Sequence, residues 1–548
     1  MAFRNQFAED IFNLKYRHEG CETWAALCRT LVHEVCDGLM PKSEVEDLVQ
    51  YMTDMKFLPG GRYLYYAGRD PETRYYNNCF LLKCEEDTRQ DWATITQKAT
   101  SALMSGGGIG LDYSVYRPSG SHLKRTGGKA SGPLPAMEMI NGIGRSVMQG
   151  GSRRSAIYAS LHWQHGDVKD FLKMKNWYDQ KAGDTTIGQL KEADFNFRAP
   201  MDFTNISVNY DTAWQDQYWN TGDVGEVFKE NVRQALSTSE PGFSFNYMKD
   251  DETLRNACTE VTSADPDDVC NLGSVNMSRI DTVTEFADVV FLATKFLLCG
   301  TIRGKVPYEA IERTREKNRR LGLGLMGMHE WLIQRGERYE VTDELHKWLH
   351  VYKTVSDTTS RSFADQCSVT RPVANRAIAP TGSIGILAGT STGVEPIFAV
   401  AYKRRYLKDG ERWHYQYVVD SAAQELIDRY GADPDNIESA LDLAADPERR
   451  IKFQADVQDY VDMSISSTIN LPAWGSDLNN EDTVEPFADL VAQYAHRLRG
   501  FTCYADGSRE GQPLTAVPYG EASNRQGEEL VETHDICDIT GHGSSCGV

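Results

Sequence analysis

The sequence predicts an α/β protein: one large domain, with a helical segment before it and a polar tail after it. Three observations lead there. The 548 residues exceed the usual domain of roughly 100 to 200 residues, but a large barrel can wrap such a length around one core. Helical apolar spacing fills the first stretch and then gives way, at Pro59-Gly60-Gly61, to short β-rich runs mixed with helices. From there to about residue 515 no linker and no repeat period divides the chain.

Residues 1–56 read as helices. Phe7, Ile11 and Leu14 keep helical spacing, as do Trp24, Leu27, Leu31 and Val35. A third set, Val45, Leu48, Val49, Met52 and Met55, follows a Ser43-x-x-Glu46 capping box. Beyond the glycines, Tyr63-Leu64-Tyr65-Tyr66 and Asn78 to Leu82 are β-rich and bounded by turn formers. Ser105 to Gly110 has a G-x-G-x-G spacing but lacks the third glycine and the βαβ frame of a dinucleotide site. Met137, Ile140, Ile143 and Val147 mark an amphipathic helix ending at Gly150-Gly151, with Arg153-Arg154 directly after it. His329-Glu330 invites a zinc reading, but Ile333 breaks HExxH, and no metal site is expected. Past Gln512 the chain turns polar, and 516–548 reads as a flexible tail carrying Cys537 and Cys546. From residue 515 to 537 an extended chain spans on the order of 70 Å, enough to visit an interior site.

Composition narrows the function classes. Hydrophobic residues at 41% and aromatics at 10% allow a sizeable core. A formal net charge of -21 repels polyanions, which disfavours nucleic acid and anionic membranes as partners. The first ten residues lack the apolar run of a signal peptide, and no stretch reaches the length of a membrane span. The expected location is the cytoplasm, where the twelve cysteines are thiols and any disulfide is transient.

The chemistry-bearing stretch is Asn256-Ala257-Cys258-Thr259-Glu260, with Cys270 to Ser274 just beyond. In an extended or looped backbone alternate residues project to one side, so Asn256, Cys258 and Glu260 can face one substrate. That places a hydrogen-bonding amide, a sulfur and a base together. Taken alone, the same pattern also fits a loop with a buried cysteine and a solvated carboxylate. The run Arg376 to Gly385 enters a turn of small residues, Pro380-Thr381-Gly382-Ser383. Such a turn can converge backbone N–H groups on an anion, or be only a tight turn.

Together these stretches resemble the large catalytic subunit of ribonucleotide reductase. The resemblance runs from about residue 57 to 515 plus the tail. It rests on Asn78-Cys79, GIGLDYSVYRPSG from Gly108, GGKASGP from Gly127, QGGSRRSA from Gln149, Asn256 to Glu260 with Cys270 to Ser274, RRLGLGLMG from Arg319, Pro380 to Pro396, and Phe501 to Leu514. The resemblance implies a ten-stranded α/β barrel over 57–515 with a central finger loop. Cys258 at its tip would carry a transient thiyl radical and take the substrate's 3′ hydrogen. Glu260 would act as general base on the 3′-hydroxyl, and Asn256 would position the ribose hydroxyls. Cys79 and Cys270 would supply two electrons and finish as a disulfide, which Cys537 and Cys546 would reduce before thioredoxin or glutaredoxin restores the tail. Pro380, Thr381, Gly382 and Ser383 would hold the substrate diphosphate.

Glu86, Asp87, Arg117, Lys124 and Arg153 match positions at or near a deoxynucleotide triphosphate effector, which implies a homodimer. Ser155 stands where glycine is more usual in the family. No segment long enough for an ATP-binding cone precedes the barrel, so feedback shutdown by dATP is not expected. For the radical, the short interval from Cys258 to Cys270 and the run Thr502 to Arg509 are most like the adenosylcobalamin class. Asn-Ala-Cys-Thr-Glu is closer to the class served by a separate ferritin-like dimetal subunit, with Tyr504 the candidate for radical transfer. Both sources stay open. Two rival functions remain, a thiol-disulfide oxidoreductase that needs no Cys258, and a catalytically inactive nucleotide-binding protein.

Overall fold

The computed structural model describes residues 3–124, 127–147, 155–194, 197–408, 412–508 and 514–531. Nine strands carry the argument: β1 (Cys79–Lys83), β2 (Gly108–Asp112), β3 (Ile157–His162), β4 (Thr204–Tyr210), β5 (Gly242–Phe245), β6 (Asp268–Asn276), β7 (Leu321–Met326), β8 (Thr468–Leu471) and β9 (Gly500–Ala505). β1 to β5 pair parallel in chain order. β6 and β7 are parallel to each other, as are β8 and β9. The two groups meet antiparallel at β6 with β1 and at β9 with β5.

Closure comes from a short segment between β7 and β8. Parallel bridges Leu323–Arg376 and Ile378–Ile465 join β7 through 376–378 to the approach of β8. The wall is thus a barrel of two five-stranded parallel halves, once 376–378 is counted as a strand. The ten-stranded sheet traced by continuous ladders instead takes Phe57–Pro59, antiparallel on β6, as its tenth member.

Apolar burial explains where the helices lie. α1 (Trp24–Cys36), α2 (Lys42–Thr53), α3 (Val283–Arg303) and α4 (Asp343–Gln366) share one hydrophobic cluster with β7. The N-terminal helices are therefore part of the barrel's outer layer, not a separately cored unit. Trp24, Leu27, Leu31 and Val35 are all buried in α1, and the Thr23 side chain accepts from the Ala26 N–H at its start. A second cluster fills the space between β1–β5, β8, β9 and their helices.

Three local expectations change. Tyr63 to Tyr66, read as a strand, lies in the helix Gly61–Tyr66, where Tyr63 stacks on Tyr76 at 4.4 Å and is fully buried. Packing overrides the β-preference of the tyrosines. The Ser43/Glu46 capping box does not form: α2 starts after Pro41 with no side-chain cap, and Glu46 instead accepts from Arg29 at 3.0 Å. The described residues past 515, which are 516–531, are structured. Leu514–Ala516 and Glu529–Val531 flank the hairpin Ala401–Lys408/Arg412–Val419 in a four-stranded sheet, and the boundary drawn at 516 falls inside a strand. Cys537 and Cys546 lie outside the described residues.

Candidate active site

The finger loop is a hairpin inside the barrel. Leu254–Arg255 pairs antiparallel with Thr262–Ser263, leaving 256–261 as its tip. Glycines in the wall make room for it. A Cβ at Gly110 would fall 1.7 Å from the Arg255 carbonyl oxygen, and one at Gly108 would fall 3.1 Å from the Ala257 side chain. The glycine run that resembled a nucleotide loop is thus β2 with its inner side chains removed. Opposite, Asn205 of β4 donates to the Ala257 carbonyl at 3.2 Å, and the Ser464 N–H donates to the Glu260 carbonyl at 2.8 Å. The finger is tied to several sides of the wall.

Its tip meets two thiols. Cys79 of β1 and Cys270 of β6 face each other directly in the antiparallel ladder. Facing residues in such a pair have Cα atoms about 4.5 to 5.5 Å apart, inside the range that a disulfide bridges. Asn256 Nδ2 donates to Cys79 Sγ at 2.9 Å, while Asn256 Oδ1 accepts from the Val261 N–H at 2.9 Å. The Cys79 thiol points at Glu260 Oε1, 3.9 Å away. Cys258 is only half-buried, whereas Cys79 and Cys270 are 5% and 0% exposed.

Burial sets the protonation states. It pushes both Cys79 and Cys270 well above the ordinary thiol value, and the nearby Glu260 charge adds to this. Both are therefore neutral thiols at pH 7. Arg320, in a buried ion pair with Asp268 at 2.9 Å, works against the rise at Cys270. Desolvation raises Glu260 to about 7, against the pull of bonds from Asn256 and Cys79. Its Oε2 is buried without a hydrogen-bond partner among the described residues. A carboxylate held near neutrality with a vacant acceptor suits a general base.

The Pro380 to Ser383 turn leads out of the same interior, since Ala377 and Ala379 pack with Cys79 and Cys270. Thr381 takes a left-handed φ of 48°, costly for a β-branched residue, and its Oγ1 accepts from the Gly393 N–H at 2.8 Å. α5 (Gly382–Ala388) starts there, with Gly382 and Ser383 exposed. Tyr504, on β9 opposite Asn470, is half-buried.

Of the effector residues, Arg117 is ion-paired with Asp87, and Glu86 and Lys124 are exposed. Arg153 lies outside the described residues. Sequence reasoning missed Asn205, Ser464 and Arg320. Asn205 and Ser464 belong to no motif in the reading, and Arg320 stood inside the family run from Arg319 without a role. Among the described residues no group of three or more His, Cys, Asp or Glu could hold a metal ion, and no helix is long and apolar enough to cross a membrane.

Fold and site together describe an α/β barrel whose internal hairpin brings an amide and a carboxylate to a facing pair of thiols in the wall. The comparisons narrow this further. The family model for the ribonucleotide reductase barrel domain matches residues 77–199, 208–368 and 369–505. The chain belongs to the ribonucleotide reductase family. It is 27% identical over 523 residues to a vitamin B12-dependent ribonucleoside-diphosphate reductase of Mycobacterium tuberculosis, covering 86% of this chain and 73% of that protein. A vitamin B12-dependent ribonucleoside-diphosphate reductase of Thermoplasma acidophilum is 28% identical, covering 88% and 67%. The fold is similar to that of the Actinobacillus ureae class Id ribonucleotide reductase alpha subunit, with a TM-score of 0.70, 16% identity, and 92% and 97% of the two chains covered.

Proposed function

We propose that this chain is the catalytic subunit of a ribonucleotide reductase that converts ribonucleoside diphosphates to deoxyribonucleotides for DNA precursor synthesis. The observation that carries the reading is the facing pair Cys79–Cys270 beneath a finger tip that brings Asn256, Cys258 and Glu260 to one place. Cys258, the least buried of the three thiols, takes the 3′ hydrogen as a thiyl radical and returns it at the end of the turnover. Glu260 accepts the 3′-hydroxyl proton at its vacant Oε2. Asn256 orients the ribose hydroxyls. Cys79 and Cys270 give two electrons and two protons as the 2′-hydroxyl leaves as water, and a disulfide joins them. The turn Pro380-Thr381-Gly382-Ser383 holds the diphosphate, with the exposed start of α5 offering its N–H groups.

The radical comes from outside this chain. Adenosylcobalamin is the source we favour, because both relatives named as vitamin B12-dependent align over more than four-fifths of the chain. Tyr504 has Ala505, not a second tyrosine, after it, which weighs against relay from a separate metal subunit. Adenosylcobalamin would supply the initiating radical when bound; the residues above do the rest. Asp87, Arg117 and Lys124, with Glu86 and Arg153, are proposed to serve a deoxynucleotide triphosphate effector in a homodimer, and Cys537 and Cys546 to relay electrons from thioredoxin or glutaredoxin.

The test is anaerobic turnover of CDP by the purified chain with dithiothreitol and a deoxynucleotide effector, with and without adenosylcobalamin. Cobalamin-dependent formation of dCDP is the expected result. Nucleotide binding without turnover, relieved only by a dimetal subunit, would assign the radical to that subunit. Turnover of neither kind would overturn the reading.

A further inference from the structure

Outside the barrel lumen a cleft of about 520 Å³ opens between the turn Met277–Arg279, the helices Met328–Ile333 and Ser421–Tyr430, and Arg4 of the N-terminal segment. It is lined by four arginines, and they are not equivalent. Arg4 is ion-paired with the fully buried Glu330 and donates to the Gly389 carbonyl at 3.1 Å. Arg335 pairs with Glu344 at 3.2 Å and lies over the Trp331 ring at 3.9 Å. Arg429 pairs with Glu425 at 2.7 Å.

The Arg279 side chain makes no hydrogen bond and no ion pair among the described residues, and its Nε is buried without a partner there. Burial first, and the adjacent Arg4 guanidinium second, pull it below the ordinary arginine value. Glu330 and Glu425 attract it across the cleft but are otherwise engaged. Glu330 accepts from Arg4 and from Thr390 Oγ1 at 2.6 Å, and Glu425 accepts from Arg429. Asp281, also in the wall, makes no bond to it. A half-buried cation whose Nε is cut off from water, set beside a second cation, is an arrangement that an anion would stabilise.

We propose that this cleft binds a phosphate-bearing anion, with the free fork of Arg279 as its principal contact and Arg4 as the second guanidinium. A planar fork matches phosphate oxygens two at a time, and the volume lies in the range of small-ligand sites. The site is separate from the barrel and does not rest on the proposed reaction. Arg4 also holds the Gly389 carbonyl just past the end of α5, so the cleft adjoins the C-terminal end of that helix.

Isothermal titration calorimetry of the full chain with inorganic pyrophosphate at low ionic strength tests the proposal. The wild-type chain should show a saturable site that Arg279→Gln weakens about tenfold or more, at a melting temperature no lower than that of the wild type. Identical isotherms for the two chains, or no saturable site in the wild type, overturn it. Should the variant not fold, modification of Arg279 by phenylglyoxal in the wild-type chain, mapped by mass spectrometry, gives the same answer. Pyrophosphate should protect Arg279, and equal labelling with and without pyrophosphate overturns the proposal. Neither readout depends on CDP binding, so failure of the barrel reading would leave this result to stand or fall alone.

Discussion

Cys28, in the N-terminal helical layer, and Cys79, in the barrel wall, are both screened from water, and burial raises both thiols well above the ordinary value. Their neighbours differ. Cys28 packs among Trp24, Leu27, Leu31 and the other side chains of the outer core, with the Thr53 hydroxyl beside it. Cys79 has an amide nitrogen at 2.9 Å, a carboxylate at 3.9 Å and a second cysteine directly across the ladder. Burial alone makes a thiol inert. What sets Cys79 apart is an amide and a carboxylate brought to it by a hairpin that no packing argument would place inside a barrel.

The largest effect should come from removing the sulfur at the finger tip. Cys258→Ser is expected to lower CDP reduction by at least about a thousandfold, while dithiothreitol-reducible disulfide formation between Cys79 and Cys270 persists. Retained turnover in that variant would show that CDP reduction does not need the finger-tip sulfur and break the contrast drawn above. A smaller effect should follow pH. Because Glu260 is raised to about 7, the carboxylate form needed of a base accumulates through that pH, and kcat/KM should rise with an apparent pKa near it. Glu260→Gln should be slow and lose this limb.

Stability should move the other way. A carboxyl raised on folding favours the protonated state, so its contribution is intact below the unfolded value and is lost as pH climbs toward 7. The loss is on the order of 3 kcal/mol and should be missing in Glu260→Gln, as urea melts at pH 5 and pH 8 would read. The smallest effect belongs to the helical layer. Cys28→Ser puts a more strongly polar hydroxyl into a buried, mostly apolar site beside Thr53 and should cost about 1 to 3 kcal/mol with CDP turnover unchanged. A loss of turnover without a loss of stability would show that the two thiol environments are not independent.

Much of the site was legible because its parts are close in sequence. Asn256, Cys258 and Glu260 alternate within five residues, and the amphipathic spacing of Trp24 to Val35 was enough to bury α1. What escaped depends on distant partners. The purpose of Gly108 and Gly110 is set by the backbone of Arg255 and Ala257, nearly 150 positions on, so the glycines alone invited a nucleotide-loop comparison. Asn205 and Ser464 carry no motif because each acts through a single bond to the finger backbone. The helix at Gly61–Tyr66 was hidden by local β-preference, since its stabilising contact is Tyr76 stacked on Tyr63.

The register of β1 against β6 has a further consequence for how the two proposed electron donors are recharged. Their positions across the ladder already suit a covalent link, so the wall need not deform when they are oxidised. Spent and fresh enzyme would then share one outline, and no reductant could tell them apart by shape. Recognition would have to occur at the sulfurs themselves, which at 5% and 0% exposure admit only a slender visitor, such as an extended peptide strand or a small dithiol.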